Sequence, residues 1–119
     1  MNGIDAYKET SVTTQNKGRL IVLLYEGAIK FMYLAIDELE AGNYEAKSRY
    51  LIKAQNVISE LNAVLDMEKG GQIAANLRSL YNFMSNSLAR ANTKQDPEMI
   101  RQIIKLAEEL NESFKAISP

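Results

Sequence analysis

The sequence predicts an all-α protein, an antiparallel up-down four-helix bundle with an N-terminal arm. Apolar residues recur three and four positions apart through four stretches of the chain, the spacing that places them along one side of a helix. The breaks between these stretches are short, so consecutive helices should fold back on one another. No stretch alternates apolar and polar residues with a period of two, and the 119 residues are enough for one domain, so we expect a single bundle without strands.

The first fifteen residues are predicted to form an arm. Residues 1–15 contain Gly3 and the polar, β-branched stretch 10–14 (TSVTT), and they show no sustained helical period. Ile4 and Tyr7 are among the few apolar residues of this segment. Their presence suggests that the arm docks on another part of the molecule.

The first predicted helix covers about residues 17–41 and ends where Gly42 can adopt a left-handed conformation. It contains six apolar residues in a row, residues 20–25 (LIVLLY), which place side chains on all sides of a helix. We expect Leu20 and Leu24 to face the core. We expect Tyr25, at the end of the run, to need cover from outside the bundle.

The second and third predicted helices cover about residues 43–66 and 72–92, on either side of a break at residues 66–71. Asn43 is a suitable N-cap for the second helix. Both helices carry one apolar side with the alternating spacing of a heptad seam, which indicates core. The predicted core residues are Tyr44, Leu51, Ala54, Ile58, Leu61 and Leu65 in the second helix and Ile73, Leu77, Leu80, Met84, Leu88 and Ala91 in the third.

The fourth predicted helix, residues 97–117, has the clearest start in the chain. Asp96 is placed to cap it, and Pro97 occupies the first helical position, where its missing N–H is not needed. Its predicted buried edge consists of Ile100, Ile103, Ala107, Leu110, Phe114 and Ile117.

Composition excludes several classes of function. The chain has 14 Lys and Arg residues against 15 Asp and Glu residues and no basic cluster, so nucleic acid is a poor candidate partner. It has no His and no Cys, which removes Ser-His and thiol catalysis and the usual zinc and di-iron sites. No glycine-rich phosphate loop is present. We therefore expect no catalytic residue, no metal, no cofactor and no small-molecule substrate, in a soluble cytoplasmic protein.

A second apolar stripe accompanies the predicted core seam on several helices. Tyr50, Val57 and Val64 recur every seven residues beside the seam of the second helix, and Tyr81 belongs to a similar stripe on the third. A wide stripe is common in ordinary packing, but together the stripes suggest an exposed groove. Such a groove would bind an amphipathic helix or an extended segment of another protein. The alternative is a self-associating structural bundle whose stripes pair with a second copy. If the stripes form a groove for another protein, we expect the chain to be a monomer or a weak homodimer.

Three stretches of sequence resemble the flagellar export chaperones of the FliS type. They are residues 24–29 (LYEGAI), residues 53–58 (KAQNVI) and, most specifically, residues 66–77 (DMEKGGQIAANL). Residues 3–7 (GIDAY) in the arm match as well, so the resemblance covers essentially the whole chain.

The resemblance implies an antiparallel four-helix bundle in the bacterial cytosol that binds the disordered C-terminal segment of flagellin. It also implies that the protein prevents premature polymerisation of flagellin and presents it to the flagellar type III export apparatus. The arm is implied to cover part of the binding surface and to move when flagellin arrives, with Ile4 and Tyr7 acting by packing. We expect the binding surface to include these two residues with Tyr25, Tyr50, Val57, Val64 and Tyr81.

Overall fold

Four helices make up residues 17–117, the part of the chain that the structure, a computed structural model, describes. They are α1 (Lys17–Glu40), α2 (Tyr44–Ala63), α3 (Met67–Lys94) and α4 (Pro97–Ile117). The predicted all-α fold is confirmed for this part of the chain, which contains no strand. The predicted arm, with Ile4 and Tyr7, lies outside the described residues.

The helices form a closed ring of four. Helix α1 packs against α2 and α4, and α3 completes the bundle by packing against the same two helices. Hydrogen bonds between α2 and α3 show that these helices run in opposite directions. Gln55 donates to the Ser85 carbonyl at 3.1 Å. Asn62, which lies further along α2, donates to Asn82, which lies earlier in α3. The bundle is therefore antiparallel across this pair, as its short connections predict.

The ends of the helices follow the predicted signals in most cases. Gly42 has a φ of 82°, the left-handed conformation expected after α1. Asp96 accepts hydrogen bonds from the backbone N–H groups of Glu98 and Met99 at 3.1 and 3.2 Å. Asn43 precedes α2 as predicted, but its side chain makes no cap and donates instead to Glu38 at 2.9 Å.

Helix α3 begins five residues earlier than predicted. Asp66 caps it by accepting a hydrogen bond from the Lys69 N–H at 3.0 Å, so the predicted break is a helical turn followed by a kink. The kink is at Gly71, whose φ of 50° and ψ of −127° are open to glycine and strained for other residues. The polar, glycine-containing stretch was correctly identified as a discontinuity, but its capping residue was missed.

Side chains from all four helices form the core. Several residues that the apolar spacing placed in the core are exposed instead. Tyr44, Leu20, Ile73 and Ile117 are exposed although each was expected to face the core. Leu20, Ile73 and Ile117 lie near the end of the bundle where α1 and α3 begin, so fewer neighbouring turns cover them. The large side chains that are fully buried are Tyr25, Met32, Lys47, Leu51, Ile58, Leu61, Tyr81, Met84, Leu88 and Ile100.

A lysine occupies the core position one turn after Tyr44. The Lys47 ammonium donates to the Asn92 backbone carbonyl at 3.0 Å, near the C-terminal end of α3, and the Tyr44 ring lies 5.9 Å away. Burial lowers the pKa of this amine. The lysine stem therefore fills the core while its charge meets carbonyl oxygens at the negative end of a helix.

Candidate protein-binding site

Two tyrosines join the diagonally opposed helices α1 and α3 through the centre of the bundle. The hydroxyls of Tyr25 and Tyr81 lie 2.6 Å apart, and the two side chains are 0% and 1% exposed. The Phe114 ring of α4 lies 5.5 Å from the Tyr25 ring. Three helices thus meet at one aromatic cluster, defined here as Tyr25, Tyr81 and Phe114.

Both tyrosine hydroxyls in this cluster are held in the neutral form. Burial raises the pKa of Tyr25, and the hydrogen bond with Tyr81 raises it further. Burial also raises the pKa of Tyr81, although its hydrogen bond with Tyr25 acts in the opposite direction. Because a neutral hydroxyl can either donate or accept, one hydroxyl of the pair donates directly to the other.

An apolar cavity opens beside the cluster at the end of the bundle where α1 and α3 begin. Its volume is about 160 Å³, and side chains from all four helices line it. The apolar lining, named here the end pocket, consists of Ile21, Leu61, Val64, Leu65, Ile73, Ala74, Leu77, Tyr81 and Phe114. Lys17 and Asp66 supply polar groups to the lining.

The turn between α2 and α3 shapes this pocket. Gly70 lies against Ala74, and a Cβ added at Gly70 would come within 2.6 Å of the Ala74 Cβ. The Lys69 N–H hydrogen bond is the largest cause of a lowered pKa at Asp66, so this lining carboxylate stays ionised at neutral pH. The capped turn, the close approach at Gly70 and the kink at Gly71 together set where Ile73 projects.

The predicted site residues fall into separate places. Val64 and Tyr81 line the end pocket. Tyr25 is buried in the core, which corrects the expectation that it needs cover from outside the bundle. Its hydroxyl is covered by Tyr81 and its ring by Phe114.

Tyr50 and Val57 lie outside the end pocket, along the seam between α1 and α2. Tyr50 stacks on Phe31 of α1 with ring centroids 6.3 Å apart, and the Lys53 amine lies 5.7 Å from each ring. Val57 is half-buried and packs against the core. The second stripe of α2 therefore belongs mostly to ordinary packing between helices, and of its three residues only Val64 shares the end pocket with Tyr81.

The sequence interpretation missed most of the pocket lining as a binding surface. Ile73, Leu77 and Phe114 were assigned to the core because their spacing is that of a seam. Spacing identifies the side of a helix that is apolar, but it does not show at which turn the neighbouring helices stop. The discontinuity at Gly70 and Gly71 was a signal that could have located the pocket. It marks the end of the bundle where the apolar residues of the seam are no longer fully covered by neighbouring helices.

Neither a metal site nor a membrane span is found in the described part of the chain. No group of His, Cys, Asp or Glu residues within residues 17–117 has the arrangement needed to hold a metal ion. None of the four helices contains a segment both long and apolar enough to cross a bilayer.

Comparison with known proteins gives a consistent result over the full sequence. The model of the family described as flagellar protein FliS matches residues 1–119. The flagellar secretion chaperone FliS of Salmonella typhimurium is 39% identical, with 99% of this chain and 91% of that protein covered. Those of Vibrio cholerae and Bacillus subtilis are 35% and 34% identical, covering 98% and 96% of this chain and 88% and 84% of their own lengths.

Proposed function

Because the chain belongs to the FliS family of flagellar proteins, we propose that it is a flagellin-specific export chaperone whose end pocket holds part of the client. The client segment is the C-terminal region of flagellin, bound in the bacterial cytosol before export. The chaperone covers the apolar side of that segment, so flagellin does not polymerise early, and delivers it to the flagellar type III export apparatus. It acts by binding and release, without chemical turnover.

The observation that carries this proposal is the end pocket itself. An apolar cavity near 150 Å³ is large enough for a benzene-sized group. The end pocket, at about 160 Å³, is therefore suited to one large apolar side chain of a bound segment. Leu20 and Ile73 are exposed at the same end of the bundle and extend the apolar surface beyond the pocket.

A segment that is disordered when free and folds on binding suits a chaperone. Ordering the segment opposes binding through lost conformational entropy, so a large apolar contact need not give an extremely tight complex. Flagellin termini must be apolar to assemble, and the same apolar faces would associate in the cytosol if left uncovered. A covering surface of moderate affinity meets both needs, protection and release.

The N-terminal arm is proposed to compete with flagellin for the end pocket. Lys17, the first described residue, lines the end pocket, and residues 1–15 precede it in the sequence. Ile4 is thirteen residues before Lys17, and an extended chain of that length reaches roughly 40 Å. Ile4 and Tyr7 are thus within reach of the apolar surface. Removing residues 1–15 should strengthen binding of a flagellin C-terminal peptide, and weakened binding would contradict the competition.

The test compares aspartate at two exposed isoleucines. Ile73, 73% exposed, borders the end pocket, whereas Ile52, 51% exposed on α2, does not line it. Ile73→Asp should weaken binding of a flagellin C-terminal peptide at least tenfold, or about 1.4 kcal/mol, because a carboxylate would be taken out of water on binding. Ile52→Asp should bind as the unmodified protein does.

The binding constants are measured by calorimetry, after circular dichroism has shown that both variants remain helical. Equal affinity of the Ile73→Asp variant and the unmodified protein would remove the end pocket from the binding surface. Sedimentation across a concentration series checks the alternative, because a purely self-associating bundle would stay oligomeric and would not respond to the peptide.

A further inference from the structure

Helix α3 differs in charge from the rest of the protein. It carries four basic residues and one acidic residue, in a chain whose formal net charge is −1. The acidic residue, Glu68, lies in its first turn. From Gly70 to Thr93 the sequence contains no Asp, Glu or Lys, and its charged residues are Arg78 and Arg90.

The outward side of α3 combines these basic residues with an exposed aromatic ring. Phe83 is 47% exposed, and Ser79, Asn86, Arg90 and Lys94 are exposed beside it. At 100° per residue, Arg90 and Lys94 lie within about 20° of Phe83 around the helix, at about 10 and 16 Å along its axis. These five residues are named here the α3 basic face. Arg90 and Lys94 also border a shallow hollow with Ala89 and Thr93.

No carboxylate in the described part of the chain neutralises this face. Every ion pair found among residues 17–117 joins an acidic residue to Arg49, Arg101 or Lys115, on α2 and α4. Arg90 and Lys94 take part in none of them. Surfaces that bind proteins are typically poor in Lys, Asp and Glu at their centre and enriched in Arg and aromatic residues. Between Gly70 and Thr93, α3 has this composition.

The α3 basic face is separate from the end pocket. The pocket uses Ile73, Ala74, Leu77 and Tyr81 of the same helix. Phe83 follows Tyr81 by two residues and is therefore rotated by about 200° around the helix. A segment bound in the end pocket and a segment bound on Phe83 would thus contact different sides of α3.

We propose that the α3 basic face docks an acidic amphipathic helix of a partner protein, at a site distinct from the flagellin pocket. An apolar residue of that helix packs on Phe83, and carboxylates seven and eleven positions away meet Arg90 and Lys94. The occupant is assigned by charge complementarity, since the face lacks the carboxylates that its two cations would otherwise pair with. The proposal does not depend on the identity of the client in the end pocket.

The test uses two synthetic helical peptides that differ in charge alone. Both place leucines along one side, and they carry either Glu or Lys seven and eleven positions from a central leucine. The Glu peptide should bind the full chain at least ten times more tightly than the Lys peptide. In NMR titration it should shift the backbone amides of residues 79–94 on the outward side of α3. Equal binding of the two peptides, or shifts confined to the end pocket, would overturn the proposal.

Charge-reversal variants locate the site. Arg90→Glu with Lys94→Glu should weaken binding of the Glu peptide at least tenfold and leave the flagellin peptide unaffected. Lys30→Glu with Lys105→Glu changes the net charge equally at exposed positions on α1 and α4, and it should bind the Glu peptide within about twofold of the unmodified protein. If both double variants weaken binding alike, net charge rather than the α3 basic face explains the affinity, and the proposal fails.

Two further measurements complete the test. Phe83→Ala removes the aromatic contact without changing charge, and it should weaken the Glu peptide several-fold while circular dichroism shows an intact bundle. An unchanged affinity would contradict the role of Phe83. A 20-nucleotide single-stranded DNA serves as a polyanion without an apolar side. It should bind more weakly than the Glu peptide, and equal or tighter binding would overturn the assignment to an acidic amphipathic helix.

Discussion

Replacing Tyr81 by Phe should destabilise the bundle more than the loss of an ordinary hydrogen bond. The substitution leaves the Tyr25 hydroxyl without its partner at 2.6 Å, in a side chain that is 0% exposed. A buried hydroxyl that loses its partner and cannot reach water costs about 1–3 kcal/mol. We therefore expect the free energy of unfolding to fall by about 2 kcal/mol.

The reverse substitution should have a similar effect. Tyr25→Phe leaves the Tyr81 hydroxyl unpaired in a side chain that is 1% exposed. The expected loss is again about 2 kcal/mol. Replacing both tyrosines removes donor and acceptor together, so the double variant should lose less than the sum of the two single variants, by about 1–2 kcal/mol.

Urea unfolding followed by circular dichroism at equilibrium measures all four proteins of this double-mutant cycle. Tyr33→Phe is the control, because its half-exposed hydroxyl lies 3.5 Å from Glu108 and its loss should change stability by less than about 0.5 kcal/mol. Strictly additive losses in the cycle would refute the argument, because they would mean that the two hydroxyls do not depend on each other.

Three further predictions concern pH, capping and backbone strain. Burial raises the pKa of Tyr25 and Tyr81 above the ordinary 10.0, so their contribution to the free energy of unfolding is complete below pH 10 and is lost as the pH rises above it. The free energy of unfolding, measured from pH 9 to 11.5, should therefore fall less steeply in the variant with both tyrosines replaced by Phe. Equal slopes in the two proteins would contradict this. Asp96→Ala removes both cap hydrogen bonds of α4 and should cost about 1 kcal/mol in urea unfolding, whereas an unchanged midpoint would show that the cap is not needed. Gly71→Ala should cost about 1–3 kcal/mol because the φ of Gly71 is 50°. Gly27→Ala, within α1, should stabilise the bundle by about 0.5–1 kcal/mol, because an added Cβ meets no atom within 4 Å at either glycine. A change of the same sign in both variants would contradict the role of backbone conformation.

The sequence predicted the number, order and approximate limits of the helices because those depend on local signals. Apolar spacing, the cap at Asp96 and the left-handed residue at Gly42 each act within one or two helical turns. The start of α3 was missed because its cap, Asp66, lies before a glycine pair that ordinarily ends a helix. The turn it caps is short and is separated from the rest of α3 by the kink at Gly71.

The binding surface was harder to predict because it depends on which helices meet at each turn. Tyr25 and Tyr50 both lie on wide apolar stripes, yet the first is sealed in the core and the second stacks on Phe31 of a neighbouring helix. Lysine is ordinarily solvated, but Lys47 is buried, and its ammonium donates to the Asn92 backbone carbonyl near the end of α3. Such pairings join residues 19 to 56 positions apart on different helices, which periodicity does not identify.

The most direct test of the proposed function is a titration of the full chain with the C-terminal segment of flagellin, followed by circular dichroism and calorimetry. We expect saturable binding, a gain of helix beyond the sum of the two components, and a negative heat-capacity change from burial of apolar surface. NMR shifts should centre on the end pocket, at Val64, Ile73 and Tyr81. Absence of binding, or binding without any shift at the end pocket, would contradict the account.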